Sequence, residues 1–179
     1  MIYMFLAEGF EEIEALCPLD LMRRAGLAVT TVGIGGKNIT GSHQITVSAD
    51  ITEGESDYSD AEMIFLPGGM PGTLNLAASD TVITAINKAV KNNIYITAIC
   101  AAPSILGDMG LLEGKAAICY PGFENRLKGA TISDCRVVRD GKIITAAGMG
   151  VALDLGLEIV SVFCGKEKAA SLKAAVIYD

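Results

Sequence analysis

The chain has 179 residues, of which 51% are hydrophobic and 20% are charged, so it can bury a large core and does not have the composition of a disordered protein. This length predicts a single domain over residues 1–179. The 14 basic residues against 21 acidic ones give a net charge of −7, which disfavours binding to nucleic acids and to anionic membranes. No apolar run reaches the ~18 residues that a membrane-spanning helix requires, and residues 1–7 lack the basic start of a signal peptide.

Five apolar runs along the chain are typical of buried parallel strands. They cover residues 2–6, 28–34, 63–66, 94–99 and 142–146. Helical patterns lie between and after them, at residues 10–26, 80–90, 151–164 and 166–175. The first helix begins with acids and ends with two arginines before Gly26, as the helix dipole favours, and Pro18 is expected to bend it.

Two segments predict antiparallel pairs beside the parallel strands. Residues 33–50 contain Gly35-Gly36 and then an apolar stretch at 45–47, which indicates a small hairpin arm. Asp140-Gly141 is a strong hairpin turn signal. The alternation of strands and helices predicts the α/β class, with a mainly parallel central sheet covered by helices on both faces.

The cysteines and glycines exclude several kinds of site. Five scattered cysteines, no C-x-x-C pair and a single histidine, His43, argue against a disulfide framework and against any metal site. We therefore expect a cytoplasmic protein with reduced thiols. A phosphate loop ending at Gly36-Lys37 would need Ser or Thr next, where Asn38 stands, so nucleotide cofactors lose their main support.

Cys100 follows an apolar strand directly and precedes a helix that starts near Pro103. Small residues surround it, as in the nucleophile elbow, where a sharp turn projects the reactive side chain. The positive end of a helix stabilises a thiolate, and we predict a lowered pKa for Cys100. The other four cysteines have no such context and are expected to be ordinary buried or surface thiols.

Two further segments end strands at the same predicted edge of the sheet. Residues 66–72 are rich in glycine, so the amide of Gly69 could form an oxyanion hole with that of Ala101. A tight turn that needs positive φ explains these glycines equally well. Glu11, Glu12 and Glu14 start the first helix, and Glu14 is the one expected to face inward.

In these segments the chain resembles the ThiJ/PfpI family, also called the DJ-one family. The matching stretches are residues 7–14, 20–26, 66–69, 98–103 and 165–167. The resemblance implies a flavodoxin-like three-layer sandwich and a homodimer that involves the first helix. It also implies that Cys100 is the nucleophile, that a protonated Glu14 hydrogen-bonds its sulfur, and that Gly69 and Ala101 supply the oxyanion donors. Gly68, Tyr120 and Met149 are expected to line the pocket.

The chain departs from this family at Tyr120, where relatives commonly carry a histidine. Without that base, a Cys-His-acid protease mechanism is not expected. The first hypothesis is a cofactor-free glyoxalase or deglycase that acts on reactive carbonyls such as methylglyoxal. The second is a cysteine-based sensor of oxidants, or a stress-linked chaperone, without turnover. A thiamine-pathway enzyme ranks last.

Overall fold

A computed structural model describes residues 1–178 and contains a central sheet of seven strands. In order across the sheet they are β10 (Val137–Asp140), β11 (Ile143–Ala146), β7 (Tyr95–Ile99), β6 (Met63–Leu66), β1 (Ile2–Leu6), β2 (Val29–Gly33) and β5 (Ile51–Thr52). All neighbours pair in parallel except β10 and β11, which form the hairpin predicted at Asp140-Gly141.

Helices cover both faces of the sheet because its central strands are apolar on both sides. The helices are α1 (Glu12–Arg24), α2 (Gly72–Ala77), α3 (Asp80–Lys91), α4 (Pro103–Asp108), α5 (Ala152–Cys164) and α6 (Lys166–Ala175). Tyr3 and Phe5 of β1 face a core built with α3, whereas Met4 and Leu6 face a core built with α1 and α5. The predicted α/β class and three-layer sandwich are confirmed.

The first helix continues through Pro18 and packs closely on α5. A Cβ atom at Gly156 of α5 would lie 3.1 Å from the Cα atom of Pro18 and 2.6 Å from Leu21 Cδ1, so only glycine allows this approach. Leu21 and Leu172 belong to one buried apolar cluster, which attaches α6 to the outer side of the two helices. Within residues 1–178, no helix is long and apolar enough to cross a membrane.

Two small sheets lie outside the central one. The predicted antiparallel arm is formed by β3 (Asn38–Thr40) and β4 (Thr46–Ser48). A parallel pair, β8 (Ala116–Ala117) and β9 (Thr131–Ile132), was not predicted. β8 and β9 have only two residues each, which is too short for an alternating pattern to be recognised in the sequence.

Candidate active site

Cys100 lies in a strained turn between β7 and α4. Its φ is +64°, a left-handed backbone conformation that residues other than glycine rarely adopt. The turn is fixed from both sides, because the Cys100 amide donates to the Ala146 carbonyl at 2.9 Å and the Tyr120 amide donates to the Cys100 carbonyl at 2.7 Å. The reactive position predicted from the sequence is therefore an elbow held by two neighbouring segments.

Glu14 projects from α1 towards the same turn and is 1% exposed. Its Oε2 atom accepts a hydrogen bond from the Gly68 amide at 3.1 Å, and the Met149 amide also donates to the carboxyl group. A Cβ atom at Gly68 would lie 2.5 Å from this Oε2 and 2.6 Å from Cys100 Cβ. The carboxyl group and the cysteine therefore face each other across a space that only glycine leaves open.

The backbone amides of Gly69 and Ala101 donate hydrogen bonds to the Cys100 sulfur. Gly69 has a φ of +91°, and a Cβ atom there would be 2.4 Å from the Glu11 nitrogen. Both explanations offered for this glycine apply, since the turn requires positive φ and the backbone also approaches the reactive atom closely.

The predicted lowering of the Cys100 pKa is wrong for the state in which Glu14 is ionised. Burial, followed by the charge of the Glu14 carboxylate and its contact with the thiol, raises the pKa of Cys100 to about 12. Burial likewise raises the pKa of Glu14 to about 7, and the charge of Glu11 adds to this effect. The prediction rested on the helix end and took Glu14 to be protonated, whereas an ionised Glu14 raises the Cys100 pKa.

The two groups therefore titrate as a coupled pair rather than as separate acids. The first proton leaves the pair at about pH 7, the value of the Glu14 step. The remaining proton can reside on either group. A thiolate forms at neutral pH only when Glu14 keeps that proton, and the two amides that face the sulfur favour this arrangement.

Sequence reasoning missed a second buried glutamate in the same helix turn. Glu12 is 4% exposed and binds the arm: it accepts from the His43 amide at 2.7 Å, from His43 Nδ1 at 2.9 Å and from the Ile45 amide at 3.4 Å. Burial alone would raise the pKa of Glu12, but these hydrogen bonds outweigh it and lower the pKa. Its partners are more than 30 residues away, so no local signal identifies it.

Within the described residues, one group of side chains has the spacing of metal ligands. The donor atoms of Glu11, Glu12 and His43 all lie within 4.8 Å of one another. Both carboxylate oxygens of Glu12 already accept hydrogen bonds from the arm, and Glu11 accepts from the Glu14 amide at 2.7 Å as the N-cap of α1. The absence of a metal therefore remains a prediction.

The Tyr120 ring and the Met149 amide lie on segments next to the cysteine–glutamate pair, and their role in lining the pocket stays a prediction. A Cβ atom at Gly148 would be 3.3 Å from Tyr120 Cδ2 and 3.8 Å from Glu14 Oε1, so a single carbon there would contact both side chains. Tyr120 and Met149 are each about half exposed. No other cysteine is among the groups that shift the pKa values of this pair; the four others are Cys17, Cys119, Cys135 and Cys164.

Comparison with known proteins gives one consistent result. The model of the DJ-1/PfpI family matches residues 1–162. A Parkinson disease protein 7 homolog from Danio rerio is 34% identical over 177 residues, which cover 96% of this chain and 94% of the relative. A structure of oxidized DJ-1 from Toxoplasma gondii superposes with a TM-score of 0.95 at 30% identity, covering 99% of this chain and 97% of the other.

A third relative carries a different description. A putative cysteine protease, YraA, from Bacillus subtilis is 32% identical over 148 residues, which cover 81% of this chain and 87% of the relative. The lone histidine of the present chain, His43, is hydrogen-bonded to Glu12. The contacts that shift the Cys100 pKa come instead from Glu14 and from backbone amides.

Proposed function

Because the chain belongs to the DJ-1/PfpI family, we propose that it is a cysteine enzyme that converts small reactive carbonyls, such as methylglyoxal, to hydroxy acids without a cofactor. The observation that carries this proposal is the pair formed by the half-buried Cys100 and the buried Glu14, with two amides directed at the sulfur. We also propose that residues 1–179 form a single domain, in agreement with the packing of α6 on α1 and α5.

The reaction begins when the Cys100 thiolate attacks the aldehyde carbon and forms a hemithioacetal. The amides of Gly69 and Ala101 are placed to stabilise the oxyanion that develops, and Glu14 gives it a proton. The carboxylate of Glu14 then removes the proton on the former aldehyde carbon and returns one to the adjacent carbon. This carbon changes from ketone to alcohol as the other becomes a thioester.

Water hydrolyses the thioester, which releases the hydroxy acid and restores the thiol. One carbon of the substrate is oxidised and its neighbour is reduced, so no external electron carrier is required. The hydrolysis consumes one water. Removal of an amino or thiol adduct, a deglycase reaction, would use the same hemithioacetal. A Cys-His-acid protease is not supported, because His43 is paired with Glu12.

The test is the conversion of methylglyoxal to lactate by wild type and by Cys100→Ser. We expect the variant to lose at least about a thousandfold in kcat/KM, because the hydroxyl is a far weaker nucleophile than the thiolate. Cys135→Ser is the matched control, since this exposed cysteine lies outside the candidate site. Equal turnover by wild type and Cys100→Ser would refute the proposed enzyme.

A redox sensor is the second candidate, favoured by the same amides around the sulfur. They could hold the oxygens of a sulfinate as readily as the oxyanion of an adduct. The relative from Toxoplasma gondii is described in an oxidized form, which is a property of that protein. A cytoplasmic location, which we also propose, would keep the thiol reduced until an oxidant reached it.

We further propose that two copies of the chain associate through α1 and the arm. Ile13 and Ile45 are both about half exposed, and the Glu12 hydrogen bonds bring their segments together. A charged residue at this face should prevent association, because it would have to be desolvated against an apolar partner surface. Sedimentation of Ile13→Asp is expected to give the mass of one chain, whereas wild type gives two.

A further inference from the structure

A buried threonine interrupts the apolar strand β11. Thr145 is 1% exposed, and the other residues of the strand, Ile143, Ile144 and Ala146, are buried and apolar. Its Oγ1 atom accepts a hydrogen bond from the Ile118 amide at 3.0 Å. Valine has nearly the same shape and would fill the same space, but it would leave the Ile118 amide without this acceptor. The hydroxyl group therefore serves the segment that carries Ile118, and not only the packing of β11.

This hydrogen bond is one of three that join residues 116–120 to the central sheet at every second amide. The Ala116 amide donates to Asp140 Oδ2 at 3.0 Å, the Ile118 amide to Thr145 Oγ1 at 3.0 Å and the Tyr120 amide to the Cys100 carbonyl at 2.7 Å. A spacing of two residues is that of an extended segment, whose alternate amides point to the same side. Side-chain oxygens of β10 and β11 thus take the place of the carbonyl groups of a neighbouring strand.

The last of the three hydrogen bonds holds the reactive turn. The φ of Cys100, +64°, is unfavourable for a residue with a side chain and persists only where surrounding groups fix it. In this conformation the sulfur receives hydrogen bonds from the amides of Gly69 and Ala101. A turn that relaxed would carry the sulfur away from these donors. The position of the Tyr120 amide therefore affects how well a thiolate is stabilised.

We propose that Thr145 is a positioning residue for Cys100: its hydroxyl group sets the register of residues 116–120 and so keeps the Tyr120 amide on the Cys100 carbonyl. Asp140 assists from the far end of the segment. The inference rests on the proposed function only for the part that the thiolate plays in turnover. The titratable groups around the turn and the bound segment are Glu14, Glu11, Cys119, Tyr120, Glu124, Asp140 and Lys115.

Alkylation of Cys100 by iodoacetamide, measured against pH by peptide mass spectrometry, tests this role. Wild type is expected to show a midpoint at about 7, set by the Cys100–Glu14 pair. In Thr145→Val the turn relaxes and the thiolate loses its amide donors, so the midpoint should rise and the rate at about pH 7 should fall about tenfold. Thr145→Ser keeps the acceptor and should retain the wild-type midpoint, although it removes a buried methyl group.

Thr97→Val is the matched control. Thr97 is also a fully buried threonine, in the strand that leads to Cys100, but its hydroxyl group donates to the Met63 sulfur at 3.5 Å and not to residues 116–120. This variant should leave the midpoint unchanged. Asp140→Ala removes the outer acceptor at a half-buried position, and a smaller rise of the midpoint is expected from it.

A wild-type midpoint in folded Thr145→Val would overturn the inference, and so would an equal rise in Thr145→Ser or in Thr97→Val. If Thr145→Val does not fold, Asp140→Ala decides, and an unchanged midpoint there counts against the inference. Failure of the proposed function looks different: the midpoint would still rise in Thr145→Val, while wild type left methylglyoxal unconverted. If turnover occurs, Thr145→Val should lower kcat/KM at about pH 7 by the same factor as the alkylation rate.

Discussion

Gly68→Ala is expected to abolish the reactivity of Cys100 and to destabilise the fold. The added methyl group would lie 2.5 Å from Glu14 Oε2, 2.6 Å from Cys100 Cβ and 2.9 Å from the Ile99 carbonyl oxygen. Neither the buried carboxyl group nor the strained turn can move without losing its hydrogen bonds. We expect at least about a hundredfold loss of methylglyoxal turnover and about 2 kcal/mol of unfolding free energy.

Gly36→Ala is the matched control for this change. A Cβ atom at Gly36 has no heavy atom within 4 Å, and its φ is not in the left-handed region, so the substitution should leave both activity and stability close to wild type. Chemical denaturation and steady-state kinetics of the two variants make the comparison. Normal activity in a folded Gly68→Ala protein would show that the Glu14 carboxyl group need not occupy its observed position.

Glu14→Gln is expected to remove the titration step of the pair near neutral pH. In wild type, the rate of Cys100 alkylation should rise with a midpoint at about 7, as the first proton leaves. Without an acid to keep the remaining proton, the half-buried thiol must ionise alone, and the midpoint of its ionisation should move above the ~8.5 of a free cysteine. The rate at about pH 7 should then fall at least about tenfold.

Stability measurements show whether this variant is folded and add a second test. Burial raises the Glu14 pKa from 4.5 to about 7, so the native state binds more protons than the unfolded state between these values. Because the native pair keeps both of its protons up to about pH 7, this stabilising contribution is complete below the unfolded pKa and is lost as the pH rises through about 7. The free energy of unfolding of wild type should therefore fall as the pH rises from 4.5 to about 7, whereas that of Glu14→Gln should not show this fall.

The sequence was sufficient for the parts of the molecule that have local patterns. Three local patterns gave correct elements: the apolar strand before Cys100, the acids at the start of α1 and the Ser79 cap of α3. The ends of these elements differ by at most two residues from those observed. The capping serine accepts from the Val82 amide at 3.3 Å, as the pattern predicts. Such features depend on neighbours within one or two turns of the chain.

Features that depend on distant contacts could not be predicted from these patterns. The burial of Glu12 requires an arm about 30 residues away, and the raised pKa of Cys100 requires the Glu14 carboxyl group. The close approach of Gly68 to both groups is visible only once β6 and β7 lie side by side. The electrostatics of the site is thus a property of the assembled sheet edge and not of the elbow alone.

The ultraviolet absorbance of the thiolate, measured against pH in wild type with the Cys100→Ser signal subtracted, tests the central claim most directly. If Glu14 keeps the last proton of the pair, one thiolate appears with a midpoint at about 7, and this step shifts to higher pH in Glu14→Gln. If no thiolate appears until the pH approaches about 12, the charge resides on Glu14 and Cys100 is an unreactive thiol at neutral pH.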